Sequence, residues 1–252
     1  MKILCLLLLC CSCFQCQTAA TKPAPVNTTT KSPLTIGAIP LPEGYERVPQ
    51  AANSFSSYLR QLGLKKDKTV YLYNGQKKYN QQVQYAVVNI STGNKDLQQC
   101  ADAVMRLRAE YLFIQNRLHE IDFTDNNQRH YPFKGTTHPQ LLQYLEKVYA
   151  MCGSLSLSRQ LKPVTAFATI TPGDVLIKGG TPGHAMMVMD VAQNNAGQKI
   201  YLLAQSYMPA QDIHVVINPV NVKTSPWYTL TANESIITTP EWQFTTQQLK
   251  RW

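Results

Sequence analysis

Three residues have the types and spacing that a thiol hydrolase needs: Cys100, His184 and Gln205. Amide hydrolysis by a thiol requires a thiolate, a base that makes it and a group that orients the base. A thiolate is favoured near a helix N-terminus, where unpaired N–H groups and aligned peptide dipoles stabilise negative charge. Cys100 lies in Asp96-Leu-Gln-Gln-Cys-Ala-Asp102-Ala103, the opening of a long amphipathic segment. Its thiol pKa is therefore expected below the free value of about 8.5. Cys152, in Cys152-Gly-Ser154, is the rival nucleophile. Each has a plainer reading as a small hydrophobe packed on an inner helix face. For an exported chain, a disulfide between them is a further alternative.

His184 is the best-framed base. It follows Gly179-Gly-Thr-Pro-Gly183 and opens the apolar run Ala185–Met189 that ends at Asp190. A histidine at the mouth of a strand can face a cleft while the strand behind it is buried. The plain reading is a hairpin whose histidine caps a turn. His119 and His138 read as solvated, His130 lacks such a frame, and His214 alternates within a strand and could face either way. If Tyr201–Tyr207 hairpins back through Asn194-Asn-Ala-Gly197, Gln205 or Ser206 returns beside His184. A Gln carbonyl can then accept the Nδ1–H and hold the ring. Asp190 is too remote for that task, about 20 Å along the same strand.

The elements that must position these residues are legible from periodicity. Phe55, Tyr58, Leu59 and Leu62 line one helical face, with Ser or Asn as cap and Gly63 as stop. Val70–Tyr73 and Tyr85–Ile90 read as strands around a turn at Asn74-Gly75. Asp96 is the expected N-cap of a helix running from Leu97 to about Gln115, with Leu97, Ala101, Val104 and Leu112 as its buried stripe. Phe123–Gly135 reads as turns, Pro139–Met151 as a helix and Ser154–Leu161 as a short helix before Pro163. Strands are expected at Val175–Ile177, Ala185–Val191, Ile200–Ala204 and Ile213–Ile217. A helix-rich first half and a strand-rich second half imply an α+β domain, with a central helix packed on an antiparallel sheet.

The N-terminus reads as an export signal. Met1-Lys2 precedes the short apolar core Ile3–Leu9, which runs into Cys10-Cys-Ser-Cys13 and Cys16. The core is too short to span a membrane, which takes about 20 apolar residues. Cys13, after Ser12, is the expected lipidation site, and paired acyl chains would anchor the protein durably. Cleavage near Ala19-Ala20 with ordinary secretion is the alternative. Residues 1–16 are thus read as a lipoprotein signal region, 17–42 as a Thr/Pro tether and 43–252 as a single domain. The expected location is the cell envelope, lipid-anchored, on the periplasmic side or the outer-membrane surface.

The net charge of +9 comes from scattered residues, so it is not read as a nucleic-acid patch. No Cys/His spacing suggests a zinc site, and no cofactor is expected. Trp227, Tyr228 and Trp242 could serve a peptide or glycan ligand, or close a core.

Pro172-Gly-Asp, Gly183-His184-Ala-Met-Met-Val and Ala204-Gln205-Ser206 resemble the histidine half of the NlpC and CHAP cell-wall hydrolases of the papain-like superfamily. That resemblance implies a papain-like fold, with a nucleophilic cysteine on a helix that precedes the histidine hairpin. The usual Asp-Cys-Ser/Gly motif is replaced at Cys100 by Gln99-Cys-Ala101. A second resemblance spans nearly the whole body. Gly44-Tyr-Glu-Arg-Val, Ser54-Phe-Ser-Ser-Tyr-Leu-Arg, Leu97-Gln-Gln-Cys-Ala-Asp-Ala-Val, Gly183-His-Ala and Ala204-Gln-Ser-Tyr-Met-Pro resemble an uncharacterised bacterial lipoprotein family, a domain of unknown function. The expected function is cleavage of wall-peptide or other amide bonds by Cys100, His184 and Gln205. The alternative is a non-catalytic binding lipoprotein on the same scaffold.

Overall fold

The computed structural model describes residues 34–229 and 235–252. The expected signal region and the lipidation site Cys13 lie outside them. Four α-helices occur among the described residues: α1 Phe55–Gln61, α2 Cys100–Ile114, α3 His138–Met151 and α4 Ser154–Gln160. The strands are β1 Tyr45–Arg47, β2 Gln84–Val87, β3 Asp122–Thr124, β4 His130–Pro132, β5 Lys162–Pro163, β6 Val175–Lys178, β7 His184–Asn194, β8 Lys199–Gln205, β9 His214–Val216, β10 Tyr228–Thr229, β11 Ile236–Thr238, β12 Gln243–Thr245 and β13 Leu249–Arg251.

The main sheet is antiparallel and runs β2-β9-β8-β7-β6-β13-β5, with β1 added to β7 and β10 to β8. The long strand β7 serves two neighbours on one side. Its first half pairs with β6 and its last residues pair with β1, with a register shift against β8 between Val188 and Asp190. Such a bulge increases local twist and re-aims the strand.

Period-two burial gives the sheet two apolar faces. Ala185, Met187, Met189, Leu202 and Ala204 join the core that contains Val104, Leu107 and Leu112 of α2. Met186, Val188, Tyr201 and Leu203 join Ile237 and Phe244 of the β11–β12 hairpin. The helices therefore cover one face and the C-terminal hairpin part of the other, a mixed α+β arrangement. Asp190 is fully buried and held by Arg47 at 2.7 Å and Arg60 at 2.5 Å, so it serves the fold and not His184.

Helix entries follow local capping chemistry. The Ser54 hydroxyl accepts the Ser57 N–H at 3.1 Å, as the cap of α1. Proline sits in the first turn of α3, where its missing N–H costs nothing. The central helix starts later than the periodicity suggests. Its N-cap is Gln99, whose N–H is accepted by the Asp102 carboxylate at 3.0 Å, and Leu97 lies outside it.

Part of the segment 17–42, expected as a tether, belongs to the folded domain. Ile36 and Ile39 are fully buried, and Trp227 Nε1–H donates to the Pro40 carbonyl at 2.7 Å. A Thr/Pro-rich composition hides two apolar side chains that the core takes up. Phe123–Gly135 likewise contains the β3–β4 hairpin within its turns.

Candidate active site

Cys100 is the first residue of α2, so its own N–H and that of Ala101 have no partner within the helix. His184 is the first residue of β7 and Gln205 the last of β8. The hairpin expected through Asn194–Gly197 joins these strands. Asn194 Oδ1 accepts the N–H of Ala196 and Gln198, and Gly197 has φ +80°, which suits glycine. Met187 pairs with Ala204, so Gln205 ends diagonally opposite His184 on the same face.

The glycines before His184 are required by space. A Cβ on Gly183 would lie 2.3 Å from the Gly180 carbonyl oxygen and 2.4 Å from Ser154 Oγ. A Cβ on Gly173, in the Pro172-Gly-Asp turn, would lie 2.8 Å from the Phe55 ring, and its φ is +97°. The loop before His184 therefore packs against the start of α4 and delivers the histidine to the sheet end.

His184 is 2% exposed, and its ring is packed by Tyr207, Trp242 and Phe244 at centroid distances of 4.7, 5.3 and 5.9 Å. A chain of hydrogen bonds fixes its tautomer. His214 Nδ1–H donates to the Asp212 carbonyl at 2.9 Å, leaving Nε2 as an acceptor 3.4 Å from Gln205 Nε2. Gln205 Nε2 donates its other hydrogen to Glu241 Oε2 at 2.7 Å, and Lys78 Nζ holds the same oxygen at 2.6 Å. The amide is thereby oriented with Oε1 towards His184, where it accepts the Nε2–H at 2.8 Å. Nδ1 remains as the free basic nitrogen. Gln205 bonds His184 through Nε2, whereas the sequence reading expects Nδ1.

Cys100 and His184 line one cleft of about 630 Å³, with Asp102, Tyr149, Cys152 and Trp242 among its other walls. Gln205 stands behind the imidazole. The Cys100 thiol lies by the backbone N–H groups of Ala101 and Ala185, the latter directly following His184. Among the described residues, no hydrogen bond joins the thiol to the imidazole. Cys152 shares the cleft, and both thiols are free. Ser206 is occupied elsewhere, between the carbonyls of Gln98 and Gln211.

Electrostatics depart from the expectation of a depressed thiol pKa. Burial pushes the Cys100 thiol up, and Asp102 adds to the rise, against the pull of the nearby N–H groups. Burial lowers His184 to about 4, against the raising effect of Gln205. Burial likewise takes His214 to about 3 and Cys152 to about 12. The resting pair is thus neutral thiol and neutral imidazole, because desolvation outweighs the helix terminus.

Glu241, Lys78 and His214 are supports that sequence reasoning misses. Period-two alternation leaves His214 open, and no local pattern marks Glu241, which lies 36 positions from its partner Gln205. Of the aromatic candidates, Trp227 and Tyr228 close cores, while Trp242 lines the cleft.

Three buried polar atoms on residues lining this cleft make no well-formed hydrogen bond: Asp102 Oδ1, the Tyr149 hydroxyl and Trp242 Nε1. Buried polar groups are nearly always paired, so such a cluster marks a place where a ligand or water completes the structure.

No curated protein and no solved structure matches the chain. It matches the family DUF4846, described as Domain of unknown function (4846), over residues 37–136 and 125–251. Those spans cover nearly all of the described residues, so the chain belongs to the DUF4846 family.

Proposed function

We propose that this protein is a thiol amide hydrolase of papain-like arrangement, acting on wall peptides or related amides at the cell envelope. The observation that carries the reading is the oriented chain His214–Gln205–His184, anchored by Glu241 and Lys78, which leaves Nδ1 free in the cleft that holds Cys100. Gln205 takes the orienting role that the third group of a triad performs.

In the first step the Cys100 S–H proton passes to His184 Nδ1 as sulfur attacks the carbonyl carbon. The oxyanion is met by the N–H groups of Cys100 and Ala101 at the start of α2. The imidazolium returns the proton to the departing nitrogen, the C–N bond breaks and a thioester remains. Water, deprotonated by Nδ1, then cleaves the thioester and restores the thiol. Closure of the thiol–imidazole gap on substrate binding is part of the proposal, since catalytic hydrogen bonds commonly tighten only in the complex.

The neutral, unbonded resting pair favours one rival, a binding lipoprotein that keeps the scaffold without the chemistry. Incubation of the mature chain with wall-derived and synthetic peptides, with new termini read by mass spectrometry, separates the two. Cleavage by the native chain and Cys152→Ala, lost in Cys100→Ala and His184→Ala, supports the hydrolase. Binding without cleavage, or cleavage that survives Cys100→Ala, refutes it. The envelope location rests on lipidation at Cys13, and a lipid mass on a mature chain beginning at Cys13 is the expected result. An unmodified terminus near Ala19 refutes the anchor.

A further inference from the structure

We propose that Asp102 and Tyr149 form a subsite that binds a primary ammonium group of the substrate beside Cys100. The inference deepens the hydrolase reading and rests on it for the word substrate, but its test involves no turnover.

Asp102 stands in the first turn of α2, two residues after the thiol, and is 6% exposed. One carboxylate oxygen, Oδ2, is used by the Gln99 N–H at 3.0 Å, whereas Oδ1 has no partner. The Tyr149 hydroxyl on α3 is also buried and makes no well-formed hydrogen bond, and both residues line the cleft. The Arg106 guanidinium approaches the phenolic oxygen closely enough for a weak hydrogen bond outside good geometry, while its better-aligned donors go elsewhere. Its Nε donates to Glu110 at 2.7 Å and its Nη1 to Gln98 at 3.2 Å. A carboxyl oxygen without a partner and a phenolic oxygen with only that weak contact, on residues lining one cleft, suit a group with several N–H donors.

The sign of the cleft selects the ammonium. Its charged lining residues are Asp96 and Asp102, and no lysine or arginine lines it, although the chain has 24 basic residues against 15 acidic. A carboxylate ligand would meet two acids and no cation. A primary ammonium would donate to Oδ1 and to the phenol, with charge assistance that a neutral amide lacks. It would also cancel the Asp102 charge, which otherwise opposes formation of the Cys100 thiolate.

Burial pushes the Asp102 carboxyl up to about 8. The groups that face it lie outside the range pH 6.5 to 8.5. On α2, Cys100 is raised above the ordinary thiol value. On and after α3, Tyr149 is raised far above neutrality and Cys152 stands at about 12; on β7, His184 stands at about 4. Within that range Asp102 alone of this group changes charge. An alkylammonium stays protonated throughout, since its pKa is about 10.

The test uses the native chain and three probes of one size: propylammonium, propionamide and propionate. Binding is followed by NMR through the backbone amides of Gln99–Asp102 and Tyr149. Propylammonium is expected to perturb these signals, with an affinity that rises more than tenfold from pH 6.5 to pH 8.5 as the Asp102 proton is lost. Asp102→Asn should remove both the binding and its pH dependence. If that variant does not fold, Tyr149→Phe should weaken propylammonium severalfold and leave the pH dependence intact. Tighter binding of propionamide or propionate, no response to propylammonium, or an unchanged response in either variant overturns the subsite. Peptide cleavage that depends on Cys100 and His184, together with no propylammonium binding, would sink the subsite and leave the hydrolase standing.

Discussion

Replacing Asp102 by asparagine should change the pH dependence of folding stability in a way that isolates one buried carboxyl. Asp102 binds its proton up to about pH 8 when folded, against an ordinary value of 3.8. Between those values the folded chain holds a proton that the unfolded chain releases. Stability is therefore lost as pH rises, at a little over 1 kcal/mol for each pH unit, or about 1.4. His184 and His214 act in the opposite sense. Their folded values of about 4 and about 3 lie below the ordinary value of 6.5, so their contribution is complete above 6.5 and fades as pH falls. Above about pH 6.5 the histidine contributions are complete, so of these three groups only Asp102 still changes the slope. The amide of the Asp102→Asn variant cannot titrate, and its oxygen can still accept the Gln99 N–H. The variant should thus track the native chain near pH 4 and exceed it by on the order of 4 kcal/mol at pH 7. A gain of that size is a large share of a domain's usual stability and would mark a residue kept for binding at the expense of folding. Urea unfolding of both chains from pH 4.5 to pH 8, followed by tryptophan fluorescence, measures the difference. Parallel profiles, or a variant less stable at pH 7 than at pH 4.5 relative to the native chain, would refute the reasoning.

Two further substitutions probe the frame of the site. Glu241→Ala leaves Lys78 buried without its partner and frees the Gln205 amide, so a loss of roughly 3–5 kcal/mol is expected in urea unfolding. The double variant Lys78→Met/Glu241→Leu should recover most of that stability but not peptide cleavage, because Gln205 would no longer be oriented; recovered cleavage would refute the orienting role. Gly183→Ala forces a Cβ to within 2.4 Å of Ser154 Oγ and should displace His184 while the core stays folded. The expected readout is a lost His184–Gln205 hydrogen-bond signal in imidazole NMR, and an unchanged signal would count against the packing argument.

Periodicity and capping chemistry are enough to place α1, α3, α4 and the strands β6 to β9 within a few residues, because the helices bury one apolar stripe and the strands are continuous apolar runs buried on both faces. The same local logic places His184 at a strand mouth and counts Gln205 back to it across the hairpin at Asn194–Gly197. These features depend on neighbours in the chain, and a sequence displays such neighbours directly. The start of α2 does not follow, since Leu97 fits the apolar stripe while Asp102, reaching back to Gln99, sets the cap three residues later than Asp96. The proton on Nε2 depends on the orientation of the Gln205 amide, set by Glu241, which Lys78 holds in turn, both from loops remote in sequence. The sign of the thiol shift is also set by tertiary packing. A helix N-terminus can be read from residue types, but the desolvation that outweighs it at Cys100 comes from the walls of the cleft. Local order in this protein follows from short-range periodicity, and the protonation states of its candidate site follow from burial, which exists only once distant segments have come together.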